Sequence, residues 1–180
     1  AWTVTLFFGC QGFLAYIVMG WLPQVFIDNG VDKTQAGLLV GLASLVGVPV
    51  ALLISPLAAR SPNQSGWIVA IGMVGMVGTV GLLVAPAAAP VTWSVLIGVG
   101  MSAFSVALAV IALRARTAED TAQLSGMAQG FGYLIAGAGP FLFGLLHDVS
   151  NGWTIPWVMF LVVYVVQIVA GAAVGRNRYV

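Results

Sequence analysis

At 180 residues, 61% hydrophobic and only 6% charged, with a mean hydropathy of +1.06, the chain cannot be a soluble domain, where about a quarter of residues carry charge. A net charge of +1 offers no basic footprint for nucleic acid. The lone cysteine, Cys10, lies in an apolar run. It leaves no disulfide framework and no metal-ligand cluster, and no cofactor is expected.

In chain order the sequence predicts six membrane spans. The first covers about 2–26, with Gly9, Gly12, Tyr16, Gly20 and Pro23 on one helical face and Trp2 and Trp21 near opposite ends as interface anchors. It has no basic n-region and runs to full spanning length, unlike a signal peptide. With Ala1 in place of an initiator Met, the chain is expected to follow residues that have been removed. D-N-G turns the chain, and Asp32 and Gln35 have capping-box spacing. The second span, about 34–57, carries the small-xxx-small pair Gly37 and Gly41, with Pro49 and Pro56 expected to kink it or end it early.

The third span, about 67–84, has a glycine at every third position, which predicts close packing around half the helix. The fourth, about 91–113, follows the uncharged turn A-P-A-A-A-P and aligns Ser94, Gly98, Ser102, Ser105, Ala109 and Ala112 in a stripe. Arg114 and Arg116 at its end, and Glu119 and Asp120 before the next span, suit the helix dipoles.

The fifth span, about 121–147, aligns Gly130, Gly137 and Gly144 seven apart as a face for close helix approach. Gln129, Tyr133, Ala136 and Pro140 form the neighbouring stripe. The sixth span covers about 153–175. Arg60, Arg114, Arg116, Arg176 and Arg178 fall on one side of this topology and only Lys33 on the other, so the positive-inside rule predicts cytoplasmic termini. The start of the second span, D-K-T-Q-A-G, and that of the fifth, D-T-A-Q-L-S-G, are each followed by spaced glycines and a proline. They would be inverted copies three spans apart.

W-L-P-Q-V-F-I-D-N-G (21–30), Q-A-G-L-L-V-G-L-A-S-L-V-G-V-P (35–49), L-R-A-R-T (113–117), L-S-G-M-A-Q-G-F-G-Y-L-I-A-G-A-G-P (124–140) and L-L-H-D (145–148) together resemble the cyanate and nitroimidazole transporter family of the major facilitator superfamily. The likeness extends over essentially the whole chain and corresponds to the C-terminal half of that family. It departs at 104–106, where F-S-V stands for the family's F-P-L. In S-P-L-A-A-R (55–60), Ala59 replaces an acid of the superfamily's loop signature.

The resemblance implies an all-α membrane protein: six transmembrane helices, half of a major facilitator fold, built as two inverted three-helix repeats. It implies an inner-membrane location. The expected partners are lipid, a small-molecule substrate, and the N-terminal six-helix half or a second copy of this chain. A cavity lined by the first, second, fourth and fifth helices makes Gln11, Tyr16, Ser44, Ser102, Phe104, Ser105, Gln129 and Tyr133 the candidate substrate-binding residues. An amide and phenols in an apolar pocket suit a small, planar, weakly polar or mono-anionic solute moved by alternating access. His147 and Asp148 are candidate gating residues. Gln167, Met73, Met76, Met101 and Met127 read as structural.

An intramembrane enzyme is not expected, because Cys10 and the serines have no partner base at membrane depth. The alternatives are a half of a multidrug-type efflux protein or a membrane scaffold. A scaffold would hold Gln129 and Tyr133 in a dry seam.

Overall fold

The computed structural model describes residues 1–176; Arg178 lies outside the described residues. Among the described residues seven helices follow one another: α1 (Trp2–Asp28), α2 (Lys33–Arg60), α3 (Ser65–Val84), α4 (Pro90–Met101), α5 (Ala103–Arg114), α6 (Ala118–Ser150) and α7 (Thr154–Val174). With α4 and α5 taken as one span broken at Ser102, six stretches are long and apolar enough to cross a membrane. Local chemistry sets their ends. The Asp32 carboxylate accepts Thr34 N at 2.9 Å and Gln35 N at 3.3 Å, capping α2. Thr117 and Asp120 form a reciprocal capping box at the start of α6. Gly30, at φ 87°, makes the turn after α1. α2 runs through Pro49 and Pro56 to Arg60 rather than ending early.

α1 is the axis of the bundle and its most buried helix. It packs most extensively on α6, then on α7, α2 and α5. Span four packs on α2 and α3, and α3 on α7. Exchanging spans one with four, two with five and three with six maps these neighbours onto each other. The one–five pairing becomes four–two, one–six becomes four–three, and three–six becomes itself. That is the contact pattern of two three-helix repeats.

The α1–α6 seam differs from the predicted stripe. A Cβ on Gly139 would meet the Phe13 carbonyl at 2.9 Å, one on Gly132 would meet the Phe8 ring, and one on Gly12 would meet Ala136 at 2.8 Å. The seam therefore runs through Gly132, Ala136, Gly139 and Phe143, at helical spacing. Gly130 and Gly137 stand two residues before Gly132 and Gly139, more than half a turn away, and have nothing within 4 Å of an added Cβ. Only Gly144 of the seven-residue stripe packs here, against Trp21. In α3 the expected close packing is present: Gly72 faces Ile168, Gly75 faces both Tyr164 and Gly100, Gly78 faces Ile97 and Gly81 faces Trp93.

One end of the bundle is tied by Arg114, which is 3% exposed. Its Nε donates to Val174 O at 2.9 Å, and its Nη2 to Gly175 O at 2.9 Å and to Gln64 Oε1. The guanidinium thus caps the C-terminus of α7, where the helix dipole is negative, and holds the start of α3 to it. Gln64 N, donating to Gly175 O at 2.9 Å, closes the same junction.

Arg114→Met should lower unfolding stability in detergent by about 2–3 kcal/mol, because it strands buried carbonyls at a helix end. Arg114→Lys should recover only part of this, since an ammonium cannot fork between two carbonyls and an amide. Chemical unfolding of the three proteins, with Gly130→Ala as a neutral comparator, measures it.

Candidate functional site

The break in span four shapes the site. Ser105 N donates to Ser102 O at 3.2 Å, three residues back, and Ser102 N to Val99 O at 3.1 Å. The two serine hydroxyls bond back to the same turn, Ser102 Oγ to Val99 O at 2.6 Å and Ser105 Oγ to Ser102 O at 2.8 Å. Hydroxyls that compete for helix carbonyls bend helices. Gly100 lies within the same turn, and no proline does.

Beside the break is a cavity of about 370 Å³. Tyr16 and Met19 of α1, Ser44 and Val48 of α2, and Met101, Phe104 and Ser105 of span four wall it. Small residues make the room: Gly12 and Ala15 on α1, and Ala43, Gly47 and Ala51 on α2. Gly98 lets α4 meet the Ala43 carbonyl directly, closing one end of the α2–α4 contact. A second hollow of about 420 Å³ shares Val48, Ala51 and Ser105 and continues along α2 to Ser55 and Pro56. Together they form a groove between α2 and span four.

The polar groups are few. Ser44 Oγ donates to Val40 O at 3.1 Å, and Ser55 Oγ to Ser105 Oγ at 2.8 Å. Their donors are spent within the protein, so these hydroxyls are left chiefly as acceptors. Tyr16 is 40% exposed. No charged side chain lines the cavity among the described residues. An apolar hollow with an aromatic wall and a few hydroxyls can recognise a small planar solute by ring contact and sparse hydrogen bonds.

Of the sequence candidates, Tyr16, Ser44, Phe104 and Ser105 come together in this wall. Gln11 and Ser102 are buried behind it. Gln11, 2% exposed, donates to Met101 O at 3.4 Å and accepts from Gln167 Nε2 at 3.0 Å. Gln129 and Tyr133 lie on α6, away from the cavity. Gln129 donates to Ser125 Oγ at 2.6 Å, and Tyr133 is 43% exposed rather than held in a dry seam. Tyr133 still touches the cavity wall indirectly: the buried Phe8 ring lies 5.4 Å from Tyr133 edge-on and 5.3 Å from Phe104.

Ser55, Met19 and Phe8 were not among the sequence candidates. Ser55 was accessible to that reasoning, because its eleven-residue spacing from Ser44 returns to the same helix face. Met101, expected only as packing, also lines the cavity.

At the opposite end from Arg114, His147 Nδ1 lies 3.3 Å from Asp148 Oδ1. The His147 ring stacks at 3.9 Å on Trp153, whose Nε1 donates to Asp28 Oδ2 at 3.2 Å. Trp21 Nε1 donates to Pro140 O at 2.8 Å beside them, fastening α1 to α6 at the proline. This cluster joins the ends of α1 and α6 to the start of α7. It contains the two gating candidates and does not touch the cavity.

An exposed cavity wall has a direct chemical signature. Ser44→Cys should react with a membrane-impermeant maleimide, whereas Ser94→Cys, at a fully buried position, and native Cys10, also buried, should stay unmodified. Mass spectrometry of the labelled protein reads the difference.

Comparison with known proteins agrees with the helical plan. Residues 4–179 match the family model described as Major Facilitator Superfamily. The chain is 38% identical over all of its length to the uncharacterized transporter YycB of Bacillus subtilis, covering 45% of that protein. It is 38% identical to the 2-nitroimidazole transporter of Escherichia coli, over 99% of this chain and 45% of that one. To the cyanate transport protein CynX of Escherichia coli it is 26% identical, over 87% of this chain and 41% of that one. The chain thus spans about half the length of the curated relatives it matches. No solved structure matches. Six helices of spanning length among the described residues, joined as two three-helix repeats and matching the family model over almost every residue, make this chain a member of the Major Facilitator Superfamily.

Proposed function

We propose that this chain is the C-terminal six-helix half of a secondary transporter that moves a small, planar, weakly polar or mono-anionic solute by alternating access. The cavity carries the reading: Tyr16, Ser44, Phe104 and Ser105, from three different spans, meet around one hollow beside a broken helix. The named solutes of two relatives, 2-nitroimidazole and cyanate, are small and planar or linear, and they fit this chemistry. Phe104 and Tyr16 offer ring faces, and the serine hydroxyls and the phenol offer a few hydrogen bonds. No cation lines this wall among the described residues, so any charge pairing with an anion falls to the other half.

The bare surfaces support a missing partner. α2 is the least buried span and α6 the next, and exchange of the two repeats relates these two helices. Leu45, Leu52 and Leu53 on α2, and Leu134 and Phe141 on α6, are exposed. Gly37, Gly41, Gly130 and Gly137 also face open space. Small residues on an outward face allow another helix to come close. The other six-helix half would cover them. With the arginine-rich end at the cytoplasm, both termini of this half lie there.

The test is uptake into liposomes. The chain reconstituted with its other half should take up 2-nitroimidazole or cyanate saturably, and a verified six-helix monomer should not. Phe104→Ala should raise KM about tenfold, the value of a lost aromatic contact of roughly 1.5 kcal/mol. Saturable uptake by the monomer, or a cavity variant without effect on any transported solute, removes this reading.

Energy coupling yields a separate expectation. Proton-coupled carriers keep a carboxyl at membrane depth. Here Asp28, Asp32, Glu119, Asp120 and Asp148 all sit at helix ends or in turns and are exposed. Changing each to its amide in the reassembled transporter should leave proton-driven accumulation intact. Loss of accumulation with counterflow preserved, in any one of them, would locate a coupling carboxylate in this half.

A further inference from the structure

The break in span four leaves a backbone group to be satisfied. In a continuous helix Met101 O would accept the Ser105 amide, but that amide is taken by Ser102 O. A carbonyl left without a donor inside the bundle is costly. Gln11 of α1 supplies the donor, its Nε2 reaching Met101 O at 3.4 Å. Gln167 of α7 holds Gln11 in turn, donating to its Oε1 at 3.0 Å. Three spans thus meet through two amides on the carbonyl of a residue whose side chain lines the cavity.

The remaining atom of the chain argues against mere adhesion. Gln167 is fully buried and its Oε1 has no hydrogen-bond partner. It faces Gly72, where an added Cβ would sit 3.7 Å away. An apolar pair of similar size would fill the α1–α7 seam without leaving an acceptor stranded. What such a pair would lack is the donor for Met101 O.

We propose that Gln11 and Gln167 are positioning residues: a two-amide splint that sets the angle of α5 on α4, and through it the place of Phe104 and Ser105 in the solute cavity. Gln11 acts on the break directly and Gln167 acts through Gln11. The role in solute binding rests on the transport reading above; the splint itself does not.

Two measurements on the transporter, assembled with its other half in nanodiscs, test it. Gln11→Met keeps the volume and removes the donor. Amide hydrogen exchange over residues 99–106 should then run about fivefold faster, the worth of one net hydrogen bond, with α3 and α7 unchanged. Gln167→Met should give a smaller rise, and the double variant should exchange no faster than Gln11→Met alone, because the amides act in series. Unchanged exchange at the break, or acceleration spread evenly over all helices, overturns the splint. If Gln11→Met does not fold, Gln167→Met, which retains the Gln11 donor, decides by the same local-against-global criterion. In uptake assays both variants should raise KM with the maximal rate held, and an unchanged KM overturns the link to the cavity. Should the wild-type transporter move none of the solutes tried, the transport reading fails while the exchange result still decides the splint.

Discussion

Hydrocarbon removes the usual reason for helices to associate, because a leucine gains nothing by leaving lipid for another helix. What remains is the closeness with which two backbones can approach, and the need to satisfy every backbone polar group. The α1–α6 seam meets the first condition. With Gly139 against the Phe13 carbonyl and Gly12 against Ala136, the two helices touch almost main chain to main chain. The central position of α1, with α6, α7, α2 and α5 around it, follows from that contact. The same device recurs where α4 meets α2 at Gly98, its counterpart under exchange of the repeats.

The second condition shapes the cavity. A span that stays helical end to end has no backbone group to offer, and its side chains point where the helix sends them. At Ser102 the backbone bonds shorten to three-residue steps, and two serine hydroxyls and the Gln11 amide bond to the carbonyls of that turn. Polar side chains that would be expensive in lipid are thereby concentrated around one bend. The cavity wall and the buried amide pair are two sides of the same feature.

At the two ends of the bundle different chemistry closes the structure. Arg114 gathers the last carbonyls of α7 and the Gln64 amide at one end. At the other, Trp21, Trp153 and His147 stack beside Asp28 and Asp148. The first end is closed by a buried cation on helix carbonyls, and the second by aromatic stacking beside exposed carboxylates. The cavity lies between them, with α2 and α6 bare at the side.

Membrane class, number of spans and the sorting of basic residues were legible in the sequence, because they depend on composition and length, which a bilayer reads directly. The capping of α2 by Asp32 and the close packing of the α3 glycines were legible as well, since each is decided within a few residues. The family resemblance carried by the 21–49 and 113–148 motifs was equally open to reading. Which face of a glycine-rich helix packs was not: Gly130 and Gly137 look as suited to a seam as Gly132 and Gly139, and only the partner's shape selects between them. Nor was the break in span four, which has no proline at Ser102 and whose Met101 carbonyl meets a glutamine ninety residues earlier. Tyr16, Ser44, Phe104 and Ser105 could be named as polar or aromatic groups at membrane depth. That they share a hollow while Gln11 stands behind it and Gln129 and Tyr133 stand apart was decided by the tertiary structure, because helix rotation in lipid is set by the neighbours a helix meets and not by its own periodicity.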